Sequence, residues 1–259
     1  LSLVVVSLLL DFAAGAGPWL ANYRFGGTLH PNITACYCAV VCLAACALAG
    51  NSPLAWGCWA VFAVALGLMI LTKSRTAVGS LAVALVVFSL ARLPALTRWW
   101  AVSTLATVGA AIALLLATAD SAVRDRVYDT FLLGRRAEAK SLTGRIPLWQ
   151  ELWEYAEDRP YLGYGYQSFW SPEHINELFK SQQWAISSAH SAYVELTLGI
   201  GLVGVSLVTL LAIVGTWLAL CRFRATRDLA YGFVFAVLVY GLVNGALESL
   251  FVETRFPAV

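Results

Sequence analysis

Apolar and polar residues alternate along this chain in long blocks, not every second or fourth position. Apolar runs occupy 33–49, 54–72, 77–93, 99–118, 191–220 and 229–252. A helix crossing the ~30 Å hydrocarbon layer of a bilayer needs about 20 such residues, so these runs predict six membrane spans. A further run, 1–10, reads as the end of an earlier span. The chain opens inside that run and Met69 is its only methionine, so it is expected to be a piece of a longer protein with more spans before Leu1. A signal peptide fits 1–10 poorly, since no basic stretch precedes it and no clear small-residue cleavage site follows. Gly50-Asn51-Ser52-Pro53 predicts a tight turn, and 91–98 and 221–228 predict two further connections.

The one large polar block is 119–190, with eight Lys/Arg against ten Asp/Glu. Within it Leu148, Trp149, Leu152, Trp153 and Ala156 recur at helical spacing. That stripe predicts a short helix lying on the membrane surface, where Trp rings favour the headgroup level. Pro160-Tyr161-Leu162-Gly163-Tyr164-Gly165-Tyr166 reads as an aromatic-rich turn. The pattern as a whole predicts an all-α polytopic membrane protein of six to seven transmembrane helices. It would form one membrane domain over 1–259, with 119–190 as a long inserted loop carrying short interfacial helices.

Composition agrees: 60% of residues are hydrophobic and 12% charged, with a mean hydropathy of +0.74, whereas soluble chains carry about 25% charged residues. The net charge of +2 argues against a nucleic-acid partner. Cys36, Cys38, Cys42, Cys46 and Cys58 lie in apolar helical stretches and Cys221 ends another, which predicts small buried packing residues and no disulfide framework. With no Asp-x-Asp, His-x-x-x-His or Cys-x-x-Cys pattern, no dedicated metal site is expected. No Walker-type lysine is present either, which argues against ATP hydrolysis.

Span parity sorts the connections into two groups. Turn 50–53 and loops 91–98 and 221–228 fall on one side; segment 11–32, turn 73–76, loop 119–190 and tail 253–259 fall on the other. Short loops of the first group hold Arg92, Arg98, Arg222, Arg224 and Arg227, against Arg24, Lys73, Arg75 and Arg255 in the second. That bias, five against four, favours the first side as cytoplasmic by a narrow margin. Parity also puts Arg24, Lys73, Arg75, Arg145 and His190 on one membrane face, with Glu248, Glu253 and Arg255 near it.

His190, in Ser188-Ala189-His190-Ser191-Ala192-Tyr193, sits where the polar loop meets an apolar run. An imidazole titrates near neutrality and could deprotonate a sugar hydroxyl as a general base, or it could merely cap the helix. Lys73 and Arg75, beside hydroxyls on a turn feeding the next helix, make a candidate anion site, or ordinary headgroup anchors. Arg145 follows Thr143, a candidate helix cap, with Pro147 in the first turn. Arg24 has a similar reading, and His30 before Pro31 suits a helix-entry turn. Glu248 and Glu253 end the last run, where pairing with an arginine is expected. Glu195 lies near enough to His190 to orient something, and His174 reads as a solvated loop residue.

The ordered set of motifs resembles the O-antigen ligase and polymerase superfamily of bacterial envelope glycan enzymes. The matching pieces are Arg24-Phe25-Gly26-Gly27-Thr28-Leu29-His30-Pro31-Asn32, Thr72-Lys73-Ser74-Arg75-Thr76, Leu142-Thr143-Gly144-Arg145-Ile146-Pro147-Leu148-Trp149, Arg159-Pro160-Tyr161-Leu162-Gly163-Tyr164-Gly165-Tyr166, Ala189-His190-Ser191-Ala192-Tyr193-Val194-Glu195-Leu196 and Gly199-Ile200-Gly201-Leu202-Val203-Gly204. The Gly-Tyr-Gly-Tyr and Leu-Thr-Gly-Arg wording is most similar to the exopolysaccharide-polymerase branch. The resemblance implies a metal-independent glycosyltransferase of the bacterial inner (plasma) membrane that needs no cofactor and works at the periplasmic face. Arg75 and Arg145, with Lys73 and Arg24, would grip the pyrophosphate of an undecaprenyl-pyrophosphate-linked glycan donor. His190 would activate a hydroxyl of a glycan or lipid A–core acceptor, with Glu195 and Glu248 in support and membrane lipids around the whole. A ligase onto lipid A–core or protein is an alternative within the family. A non-catalytic polysaccharide transporter or flippase fits less well, because transport sites gather polar groups at the bilayer midplane and here they gather at one surface.

Overall fold

The computed structural model describes residues 2–20, 23–50, 53, 55–123, 126–127, 144–184, 186–249 and 252. Thr143, Glu253 and Arg255 lie outside the described residues. The described chain is helical, in the order α1 (Ser2–Ala13), α2 (Pro31–Ala49), α3 (Ala55–Leu71), α4 (Arg75–Arg92), α5 (Ala95–Thr118), α6 (Arg145–Asp158), α7 (Pro172–Gln182), α8 (Ala192–Thr226) and α9 (Leu229–Asn244). Four helices, α2, α4, α5 and α8, are long and apolar enough to cross a membrane, and α1, α3 and α9 are shorter apolar helices. The protein is therefore an all-α multi-pass membrane protein. It divides into two compact units, one formed by 1–134 with 216–240, the other by 135–215 with 241–259.

In the first unit α2 packs against α3 and α4. Small side chains make this close approach possible: Ala35, Cys38, Ala39 and Cys42 are buried between the helices. Cys36 and Cys46 are buried too, as expected, whereas Cys221 is exposed. Arg92 donates from Nη2 to the carbonyls of Cys46 (3.2 Å) and Ala47 (3.3 Å), satisfying the open end of α2. Helix α5 has no buried residue among the described residues.

The second unit corrects two sequence expectations. The apolar stripe of α6 does not lie wholly on a surface: Leu148, Leu152 and Ala156 enter a core with Phe169, Trp170, Leu178, Ile186, Ala189 and Leu198. Each fully buried leucine contributes about 1.5–3 kcal/mol, so the polar block builds its own core and leaves Trp153 half exposed. His174 is not a solvated loop residue. Ser171 caps α7 by accepting from the His174 N–H, and this turns the imidazole back onto Phe169, centroid to centroid 4.6 Å. Its Nδ1 lies 2.6 Å from the Phe169 carbonyl, which accepts from it. Tyr155 on α6 donates to Glu177 of α7 at 2.8 Å. Its hydroxyl is pushed up to about 12, first by burial and then by Glu177, so it remains a neutral donor at ordinary pH.

The last two apolar runs also change. The run 229–252 is helical only to Asn244 and then turns. Helix α8 is broken at Gly201 (φ 68, ψ −177). The Pro160–Gly165 turn fills the break: Tyr164 and Gly165 donate to the carbonyls of Leu198 and Gly199 at 2.8 Å each, and Leu202 donates to Pro160 at 2.7 Å. A side chain on Gly201 would meet the Tyr161 carbonyl at 2.2 Å, and one on Gly163 the Leu198 carbonyl at 2.5 Å. Both also have positive φ, so only glycine fits either position.

Candidate functional site

The first unit holds the Lys73–Arg75 turn. Thr72 is buried, and its Oγ1 donates to the Met69 carbonyl (2.7 Å) while accepting from the Ser74 N–H (3.2 Å). Lys73 takes a left-handed conformation (φ 52), Ser74 is the extended N-cap, and Arg75 opens α4. Arg24 braces this turn. Its Nε donates to the Thr72 carbonyl at 3.1 Å and its Nη2 to Asn32 Oδ1 at 3.0 Å, while Phe25 is fully buried and its N–H donates to the Leu71 carbonyl. His30 is the N-cap of α2, with Nδ1 accepting from the Asn32 N–H. Two half-buried cations at a helix N-terminus, with a third fixing their turn, form a surface suited to an anion.

The second unit holds His190, Arg145, Glu195 and Glu248. Arg145, the first residue of α6 after a left-handed Gly144, pairs with Glu248 at 2.9 Å, the two side chains being 13% and 5% exposed. Its Nη1 also donates to the Leu247 carbonyl. The arginine partner expected for Glu248 is thus one 103 residues away. His190 has φ 51, a conformation uncommon for non-glycine residues that persists only where the surroundings hold it. Those surroundings grip both backbone polar groups of the preceding residue, Ala189. The Ala189 N–H donates to Glu195 Oε2 at 2.9 Å, and the Ala189 carbonyl accepts from Trp149 Nε1 at 2.8 Å. Glu195 is itself buried and accepts from the Trp170 indole N–H through its other oxygen.

The turn after α9 secures the far side. The Ala192 N–H donates to the carbonyls of Gly245 (2.8 Å) and Glu248 (3.1 Å), and Ser249 donates to Ser188 at 3.3 Å. Trp184 stacks on the imidazole at 5.9 Å between centroids. A half-buried histidine therefore sits in a pinned turn, with an arginine–glutamate pair tied to the same turn through Glu248. The structure thus gathers Arg24, Lys73 and Arg75 in one unit and Arg145, His190, Glu195 and Glu248 in the other.

The family model for O-antigen ligase matches residues 60–209. The chain belongs to the O-antigen ligase family. That match contains Lys73, Arg75, Arg145, His190 and Glu195 and excludes Arg24 and Glu248. Among curated proteins this O-antigen ligase family chain is similar to the exopolysaccharide production protein ExoQ of Rhizobium meliloti (strain 1021), 32% identical over 87 residues. The similarity covers 32% of this chain and 20% of the length of that relative.

Sequence reasoning missed the roles of Trp149, Trp170, Trp184 and Ser249. The helical stripe had marked Trp149, but nothing in spacing told that its indole N–H reaches a carbonyl 40 residues on. The Gly199-Ile200-Gly201-Leu202-Val203-Gly204 cluster was the available signal for the break in α8, because glycine inside a helical run costs ~1 kcal/mol against alanine.

Proposed function

We propose that the protein transfers an undecaprenyl-pyrophosphate-linked glycan onto an acceptor hydroxyl at the periplasmic face of the inner membrane, as a polysaccharide polymerase. The pinned left-handed turn that presents His190 carries this reading. A residue in an uncommon backbone conformation, held through both backbone groups of the residue before it, suits a preorganised catalytic group. His190 takes the proton of the acceptor hydroxyl. The oxygen attacks the anomeric carbon, and the bond from that carbon to the lipid pyrophosphate oxygen breaks. The leaving pyrophosphate gains negative charge, which Arg75 and Lys73 stabilise, with Arg145 contributing alongside its Glu248 partner. Arg24 serves by fixing the 72–75 turn and adding positive charge beside it.

The similarity to an exopolysaccharide production protein supports polymerisation over ligation to lipid A–core. The chemistry needs no metal, because fixed cations serve the leaving group. His190→Ala is expected to lower transfer about 10²–10⁴-fold, and His190→Ala and Arg75→Ala are each expected to abolish surface polysaccharide in a complemented strain. Normal polysaccharide at normal protein level in both variants would sink the proposal. Purified protein should transfer glycan from the lipid pyrophosphate donor with a chelator present, and dependence on added divalent metal would remove the metal-free mechanism.

A further inference from the structure

One face of α6 is only partly taken up by the core and the His190 turn. An open cleft of about 440 Å³ lies along it, lined by Ile146, Trp149, Gln150 and Trp153. A second cleft, about 140 Å³, continues from Trp153 past Glu157 and Pro160 to Thr197 and Leu202. Trp153 lines both, so the two adjoin along this side of α6. Trp153 is 50% exposed and Ile146 40%, and the two indoles stand about 6 Å apart along the helix axis.

Two kinds of partner use exposed tryptophans beside a membrane, namely lipid headgroups and sugars. The charge on α6 separates them. Glu151, Glu154, Glu157 and Asp158 stand against one arginine, Arg145, which Glu248 already pairs. Surface-seated helices carry lysine and arginine to meet anionic lipid, whereas this helix would be repelled. Indole faces flanked by an amide and a carboxylate suit a sugar ring instead. The negative ring face attracts the partly positive C–H face of a pyranose, and Gln150 and Glu157 can bond to its hydroxyls. The groove also lies beside the His190 turn, since Trp149 lines it and donates to the Ala189 carbonyl next to His190.

We infer that this groove is a carbohydrate platform that seats the acceptor glycan, with Trp149 and Trp153 stacking on successive sugar rings and leading the chain end to His190. Its assignment to the acceptor rests on the glycan-transfer reading above; sugar binding itself does not. The test is therefore read without any lipid-linked donor. The full chain in nanodiscs is titrated with cellotetraose and with maltotetraose, and saturation transfer to the sugar C–H protons is followed by NMR. At least one tetrasaccharide is expected to receive transfer. Trp153→Ala should weaken its apparent affinity about tenfold, and Trp153→Tyr, which keeps an aromatic face, by less than about threefold. Transfer to neither sugar, or equal affinity in wild type and Trp153→Ala, would overturn the inference. So would fluorescence of Trp153, isolated as the difference between wild type and Trp153→Tyr, being quenched by spin labels at the lipid headgroup. Sugar binding that survives in a protein without transferase activity would leave the platform standing and remove only the proposed reaction.

Discussion

Glu195 is the residue on which the His190 turn depends most. Its carboxylate takes two buried donors, the Ala189 N–H and the Trp170 indole N–H. Removing it strands both, at about 1–3 kcal/mol for each unsatisfied donor. Glu195→Ala is therefore expected to lower thermal stability and activity together. Glu195→Gln separates the two effects, because its amide oxygen can still accept one of the bonds. With the fold retained, kcat should fall about tenfold while the KM for donor stays unchanged, the signature of a group acting only on the reacting geometry. Unchanged kcat in Glu195→Gln would show that Glu195 does not position His190. Candidate status for Glu195, as for His190, Arg75 and Arg145, was legible because ionisable groups are scarce in an apolar chain and collect at its polar junctions. What each one touches was not. Arg145 and Glu248 meet across 103 residues, and spacing carries no information about such a pair. Removing either partner would leave a buried charge, which costs about 3–5 kcal/mol, so their juxtaposition is held as firmly as the turn itself.

Among the helices, α8 shows why apolar runs locate spans better than they delimit them. Leu196 and Leu198 are buried by protein, while Leu202 and Val203 are exposed, yet all four score alike for hydropathy. Composition cannot distinguish a leucine covered by a folded loop from one covered by lipid. The same ambiguity extended the last predicted span through Gly245–Leu247, which forms a turn. It also sent the α6 stripe to the membrane surface, because amphipathicity says that a face must be covered but not by what. The Gly201 break has a sharp consequence. Its Cβ would lie 2.2 Å from the Tyr161 carbonyl, whereas one on Gly109 in α5 meets nothing within 4 Å. Gly109→Ala should be neutral or stabilising by up to ~1 kcal/mol. Gly201→Ala should destabilise strongly by expelling the Pro160–Gly165 turn, seen as a lower unfolding temperature in detergent and faster proteolysis between α6 and α7. Equal stability of the two variants would show that the break is not held by that turn.

For the molecule as a whole, the length of α8 sets the topology. Its 35 residues would reach about 52 Å as an unbroken helix, well beyond a ~30 Å hydrocarbon layer. The surplus is accounted for before the break, where Ala192–Gly199 is largely buried by protein; the exposed apolar side chains Leu202, Leu207, Leu211 and Leu218 follow it. The 25 residues from Leu202 to Thr226 still reach about 37 Å, enough for one crossing with some tilt. Lys180, in α7 ahead of His190, and Arg224, at the far end of α8, are both exposed. They should therefore open on opposite faces of the membrane. In a cysteine-free background, Lys180→Cys is expected to react with an impermeant maleimide added from the periplasm, and Arg224→Cys only after the membrane is breached. Labelling of both from one side would mean that α8 does not cross. Labelling of Arg224→Cys alone from the periplasm would put His190 in the cytoplasm. That result would remove the periplasmic reaction while leaving the fold untouched, because no contact within either unit depends on which way the chain is threaded.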